Sequence, residues 1–140
     1  RARLPGQRAV IFIDSNVPMY LVGAPHPNKD AARAALERII RRGERMVTSA
    51  EVMQEILHRY GALRRPDAIQ PAFDALLGVV DEVFPVEAED VLGARDMMMG
   101  LGRRSARDAL HVAVMKRRGV GRVLSFDTGF DAVGWMERVS

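Results

Sequence analysis

Four consecutive apolar residues, Val10-Ile11-Phe12-Ile13, run directly into Asp14-Ser15-Asn16. A run this short, β-branched and aromatic with no polar alternation, reads as a strand buried on both faces. That is the pattern of a parallel sheet covered by helices, and it commits the chain to an α/β architecture. It also sets an acid at the carboxyl end of a strand, where open α/β sheets bind their ligands. Asp, Ser and Asn are equally ordinary residues for leaving a strand, because their side chains bond nearby backbone. The stretch alone leaves both roles open for Asp14.

Helix and strand patterns alternate along the rest of the chain. Pro18 suits a first helical turn with Asn16 as its cap. After a loop broken by Pro25 and Pro27, Asn28 or Asp30 caps a helix to about Arg42, closed by Gly43. Arg45 to Thr48 reads as a second strand. Ser49 to Arg64 is a helix with an apolar stripe of Val52, Met53, Ile56, Leu57 and Tyr60. Another helix follows Pro66. Glu82 to Val86 is a third strand, placed at an edge by Pro85. Ala88 to Gly100 and the nearly all-apolar Ser105 to Arg118 are helices, Arg122 to Phe126 a fourth strand, and Trp135 to Val139 a fifth. The expected fold is a single three-layer α/β/α domain over residues 9–140, with a central, mostly parallel sheet of four to five strands. Residues 1–8 are expected to be an irregular N-terminal segment or a remnant foreign to the natural protein, and stand outside the fold argument.

Composition removes several function classes. With 140 residues and no Cys, the chain has no disulfide, no thiol nucleophile and no cysteine-ligated zinc or iron–sulfur site. The lack of Cys fits a reducing cytoplasm, and neither a membrane span nor a signal-peptide pattern is expected. The net charge is only +3, yet Lys29 and Lys116 are the only lysines among 21 cations. Arginine forks match phosphate oxygens bidentately, so any nucleic-acid binding would come from local arginine patches rather than bulk charge.

Within this frame, the acids that can meet at the carboxyl edge of the sheet are few. Asp127 follows the fourth strand as Asp14 follows the first, although Asp127-Thr128-Gly129 is also ordinary turn chemistry. Asp108 lies in the first turn of the buried helix, where Ser105-Ala106-Arg107-Asp108 resembles a capping box. Thr48-Ser49-Ala50-Glu51 is a capping box proper, which gives Glu51 a structural task. Glu55, one turn on and beside the apolar stripe, has none. Carboxylates converging in one pocket repel, and a hard divalent cation such as Mg²⁺ or Mn²⁺ resolves that. Such a site suits phosphoryl chemistry.

Ile13-Asp14-Ser15-Asn16, then Thr48-Ser49 leading to Glu55-Ile56-Leu57, then Arg107-Asp108-Ala109-Leu110-His111-Val112-Ala113, then Ser125-Phe126-Asp127-Thr128-Gly129-Phe130-Asp131, together resemble the PIN domain. More narrowly the chain resembles the VapC toxins of bacterial toxin–antitoxin pairs, from Val10 to the end. The resemblance implies a Mg²⁺- or Mn²⁺-dependent endoribonuclease in the bacterial cytoplasm. By position, Asp14, Glu55, Asp108 and Asp127 would form the acidic cluster, with Asp14 and Asp108 the most direct metal ligands. Asn16 and Ser125 would be polar supports and Asp131 an outer acid. It further implies an RNA substrate, a homodimer and inhibition by a VapB-type antitoxin, with no membrane partner. The Met-rich helix from Ala88 to Gly100 is a candidate dimer interface.

Arg103, Arg104 and Arg107, beside Asp108, are candidate RNA contacts, and the pattern fixes no Arg or Lys in the catalytic centre itself. With one Trp and two Tyr, base stacking is poorly supported, so recognition would rest on loop shape and phosphate. Glu55 with His58, and Asp108 with His111, also carry the acid–histidine spacing of di-iron bundles, but the strands conflict with an all-helical fold. His111 is expected to be a satisfied, partly buried histidine. The phosphatase arrangement lacks its second Asp, since that position is Asn16. A non-enzymatic or partner-silenced PIN-like scaffold, binding RNA or protein, is the alternative function.

Overall fold

The computed structural model describes residues 8–100 and 105–140. Strands β1 (Val10–Ile13), β2 (Arg45–Ser49), β3 (Glu82–Phe84), β4 (Arg122–Leu124) and β5 (Glu137–Val139) form one sheet. Its order is β3-β2-β1-β4-β5 and every pairing is parallel. Six α-helices flank it among the described residues: α1 (Asn16–Val22), α2 (Pro27–Arg41), α3 (Ala50–Ala62), α4 (Ile69–Leu77), α5 (Ala88–Met99) and α6 (Ala106–Arg117). The expected three-layer α/β/α architecture is therefore the observed one.

The apolar run that opens the chain is the middle strand. Phe12 is level with Val47 of β2 and Val123 of β4, and Ile11, Phe12 and Ile13 are sealed from solvent. Alternate side chains of β1 serve the two faces, so a strand apolar at every position is what this place in the sheet requires. The chain winds outward from β1 through β2 to β3, then returns to lay β4 on the other side of β1. That reversal opens a crevice between the carboxyl ends of β1 and β4, the place where such sheets bind ligands.

The end of β1 is held from both sides. The Asp14 amide donates to the Leu124 carbonyl at 3.1 Å, and Thr48 Oγ1 donates to the Ile13 carbonyl at 2.9 Å. Thr48 is fully buried. Thr48→Val keeps the shape but removes a buried donor, and is expected to cost about 1–2 kcal/mol in denaturant unfolding. An unchanged unfolding free energy would mean that this bond does not fix the strand end.

Local capping departs from the sequence reading at several points. Asn16 does not cap α1, whose N-cap Ser15 makes no side-chain cap bond. Helix α2 begins at Pro27, with His26 as its cap in place of Asn28 or Asp30. Proline at the first helical position needs no amide partner, so the start moves upstream. The cap of α3 is Ser49, the last residue of β2, which accepts the Val52 amide, while the Thr48 hydroxyl is engaged with the Ile13 carbonyl. Glu51 therefore sits in the first turn without the reciprocal capping bond. The capping box on α5 is made by Glu87 and Asp90. Pro85 ends β3, the edge strand, and does not lie within it. Pro66 to Ala68 form a short 3-10 turn before α4. Of the N-terminal segment, Arg8 is described, and it donates to the carbonyls of Gly43 and Glu44.

Candidate metal centre

Asp14 leaves β1 in the crevice between β1 and β4, with 5% of its surface exposed. Its Oδ1 accepts the Ser15 amide at 2.8 Å, and its Oδ2 accepts the Ser125 hydroxyl at 2.6 Å and the Asn16 amide nitrogen at 3.4 Å. Ser125 Oγ meanwhile accepts from Asn16 Nδ2 at 3.1 Å and from the Asp127 amide at 3.0 Å. Both of its lone pairs are engaged, so its single proton is directed at Asp14. Asn16 Oδ1 accepts the Phe126 amide at 3.3 Å. The network ties the two strand ends together and presents Asp14 as an acceptor. Asn16 and Ser125 both bond the Asp14 carboxylate and each other. Burial nonetheless pushes the Asp14 carboxyl up from its usual 3.8, against the downward pull of the His111 charge and the Ser125 hydroxyl.

Glu55, from the second turn of α3, reaches the same place. Its side chain is 13% exposed, and its Oε1 lies 3.1 Å from His111 Nε2. Burial raises the Glu55 carboxyl, but the hydrogen bond and charge of His111, with Ser15 and Arg107, outweigh it and leave it below its usual value. His111 arrives from the buried face of α6, its Nε2 also 4.0 Å from Asp14 Oδ1. Burial disfavours the charged imidazole, yet the Glu55 hydrogen bond and the nearby Asp14 charge prevail and raise its affinity for a proton. The Phe12 ring stands 6.0 Å from the imidazole, centre to centre. Among the described residues, His111 Nδ1 has no hydrogen-bond partner.

Asp14, Glu55 and His111 each place one ligand atom within 4.8 Å of the others. Two of the four sequence-nominated acids thus come together, and a histidine joins them. His111 is buried completely rather than partly, and it is satisfied at one nitrogen only. Its three-residue offset from Asp108 was visible in the sequence, but nothing local shows that Glu55 is what it meets.

The other nominated residues stand outside this three-residue group. Asp108 is half-buried in the first turn of α6, its amide donating to Ser105 Oγ at 3.1 Å. Asp127 is exposed and accepts the Gly129 amide at 2.8 Å, capping a short 3-10 turn from Thr128 to Ala132. Asp131 forms a two-pronged ion pair with Arg138 at 2.9 and 3.2 Å. Arg107 Nη1 lies 3.8 Å from Glu55 Oε2, which brings an arginine to the rim of the centre where the sequence pattern fixed none. Arg103 and Arg104 lie outside the described residues.

The donor set suits a divalent cation. Two carboxylates share a site with little water, and Asp14 resists ionisation there because burial strips its hydration. A bound divalent cation would offset that penalty, and the two carboxylates would supply oxygen ligands to it.

Comparison with known proteins adds to this geometry. The family model described as PIN domain matches residues 11–136. Ribonuclease VapC13 of Mycobacterium tuberculosis is 55% identical over 131 residues, covering 94% of this chain and all of that protein. The crystal structure of Mycobacterium tuberculosis VapC20, a Sarcin-Ricin loop cleaving toxin, superposes with a TM-score of 0.72 at 24% identity, covering 91% of this chain and 97% of that one. VapBC2 from Rickettsia felis, solved bound to a DNA fragment from their promoter, gives a TM-score of 0.70 at 13% identity, covering 93% and 97%.

Proposed function

The chain belongs to the PIN-domain family, and on that premise we propose that it is a metal-dependent endoribonuclease acting as the toxin of a VapBC toxin–antitoxin pair. The observation that carries this reading is the convergence of Asp14, Glu55 and His111 in the crevice between β1 and β4. Asp14 and Glu55 would hold Mg²⁺ or Mn²⁺, with Asp108 at the start of α6 and Asp127 after β4 as further acids around that pair and Asp131 as an outer one. A bound ion supplies polarisation of the phosphodiester and a lowered pKa for water. The chain's own residues do the rest. Ser125 and Asn16 hold Asp14 in one orientation through the bonds described above. Arg107, at the rim, balances the negative charge of Glu55 and favours approach of a phosphate, with Arg103 and Arg104 as companion RNA contacts.

An RNA substrate, a VapB-type antitoxin and a homodimer complete the reading, in a bacterial cytoplasm. Among the described residues no helix is long and apolar enough to cross a membrane. The test is incubation of end-labelled RNAs, single-stranded and hairpin, with the purified chain. Internal cuts are expected with Mg²⁺ or Mn²⁺, none in EDTA, and recovery when the ion is restored. Cleavage that persists in EDTA, or none across the panel with either ion, overturns the proposal.

A further inference from the structure

The chain holds only two Tyr and five Phe, but their placement matters more than their number. A groove of about 520 Å³ runs beside the acidic cluster, lined by Tyr20, His26, Tyr60 and Phe126 together with Arg59 and Asn16. The Tyr20 and His26 rings lie 4.9 Å apart and only 30° from parallel, and Phe126 meets Tyr20 edge-on at 5.3 Å. His26 is exposed, so this ring pair offers an aromatic surface to solvent. Its Nδ1 accepts the Asn28 amide at 3.0 Å, which fixes the ring and leaves Nε2 as the N–H donor of the neutral form. Arg59 is exposed on the same groove.

This groove is joined to the centre by Asn16 and by Asp127, which also lines it and whose amide donates to Ser125 Oγ. Asn16 bonds Asp14 and Ser125 on one side, accepts the Phe126 amide on another, and also lines the groove. A phosphodiester held at Asp14 therefore leaves its neighbouring nucleotide at the mouth of an aromatic slot. Single-stranded RNA is read by stacking splayed bases on aromatic rings and arginine, with hydrogen bonds to the base edges. The slot offers each of these: rings, a guanidinium, and an imidazole N–H. A peptide segment would use the apolar surface but has less need of a cation and a fixed N–H donor beside a phosphate-cleaving centre.

We propose that the groove between α1, α3 and the end of β4 takes one unpaired nucleobase of the RNA, with Tyr20 and His26 as its stacking platform and Arg59 against the backbone. The proposal rests on the nuclease reading and adds a recognition site to it. It also replaces the expectation that stacking plays little part.

The test is fluorescence anisotropy with a short fluorescein-labelled single-stranded RNA of mixed sequence, in EDTA so that the probe stays intact. Tyr20→Leu, which keeps apolar bulk, is expected to weaken binding by about ten-fold, whereas Tyr20→Phe keeps it. Arg59→Ala, at an exposed position, is expected to weaken binding and to reduce its salt dependence by roughly one counterion. One abasic nucleotide stepped along the probe should weaken wild-type binding at a single register and cost Tyr20→Leu nothing further. With Mn²⁺, Tyr20→Leu and Arg59→Ala should raise the RNA concentration needed for half-maximal cleavage by the factor by which each weakens binding. Wild-type binding and cleavage with no change in either variant overturns the groove and spares the nuclease reading. Unchanged RNA binding with loss of antitoxin binding also overturns it, assigning the groove to a protein partner. A wild-type chain that neither binds nor cuts RNA overturns both.

Discussion

Replacing Asp14 by Asn is expected to lower RNA cleavage by about a thousand-fold or more while shifting folding stability by less than about 1 kcal/mol. The catalytic loss follows from the position of the carboxylate, which is the most buried acid of the centre and the acceptor at which the Ser125 and Asn16 bonds converge. The small effect on stability is a difference of opposing terms. The amide removes a charge that burial penalises and that lies near Glu55. It also gives up attraction to His111, and its single oxygen cannot serve both the Ser15 amide and the Ser125 hydroxyl. Initial rates on end-labelled RNA, with urea unfolding in metal-free buffer, measure the two effects together. Destabilisation by several kcal/mol with residual activity in proportion would make Asp14 a structural residue.

Asp90→Ala should do the opposite, costing about 2–3 kcal/mol of stability while leaving cleavage intact well below the unfolding temperature. Asp90 has a fully buried side chain. It accepts from Arg117 Nε at 2.6 Å, from Arg117 Nη2 at 2.9 Å and from the Glu87 amide at 2.8 Å, so one carboxylate pins α5 to α6 and caps α5. Arg117 is 30% exposed and can regain water, which keeps the loss below that of a wholly buried pair. The Arg117 hydrogen bonds hold the Asp90 carboxyl below its usual 3.8 despite burial. A depressed carboxyl contributes stability above its unfolded pKa and loses it as pH falls through the folded value. The gap between wild type and Asp90→Ala should therefore be full at neutral pH and narrow below about pH 4. A gap that stays constant into acid would mean that packing, not the ion pair, is lost.

The parts of the molecule legible in sequence were those fixed by local pattern. Val10 to Ile13 is apolar at every position because both of its faces are covered, so strand, centrality and the acid at its tip could be read together. Glu55 stood out because its neighbours explained themselves and it did not. His111 was visible as a residue but not as a member of the centre, since its contact with Glu55 joins α6 to α3 across 56 positions. No helical period reveals which helix a buried face will meet. Capping was misplaced by one residue at α3, because Thr48 and Ser49 are both good caps at the end of β2 and only the fold turns the Thr48 hydroxyl to the Ile13 carbonyl, leaving Ser49 to accept the Val52 amide. The aromatic groove escaped notice for a related reason. Tyr20 with His26, Tyr60 and Phe126 come from three separate stretches, and a count of aromatics over the chain dilutes a local concentration that only the fold creates.

The measurement that bears most directly on the centre is a titration of Mn²⁺ into the metal-free chain, followed by the electron paramagnetic resonance signal of the free ion. Wild type should remove the ion from solution saturably, Glu55→Gln should do so more weakly, and Asp14→Asn should leave nearly all of it free. Equal uptake by wild type and Asp14→Asn would contradict the assignment of this crevice as the metal centre.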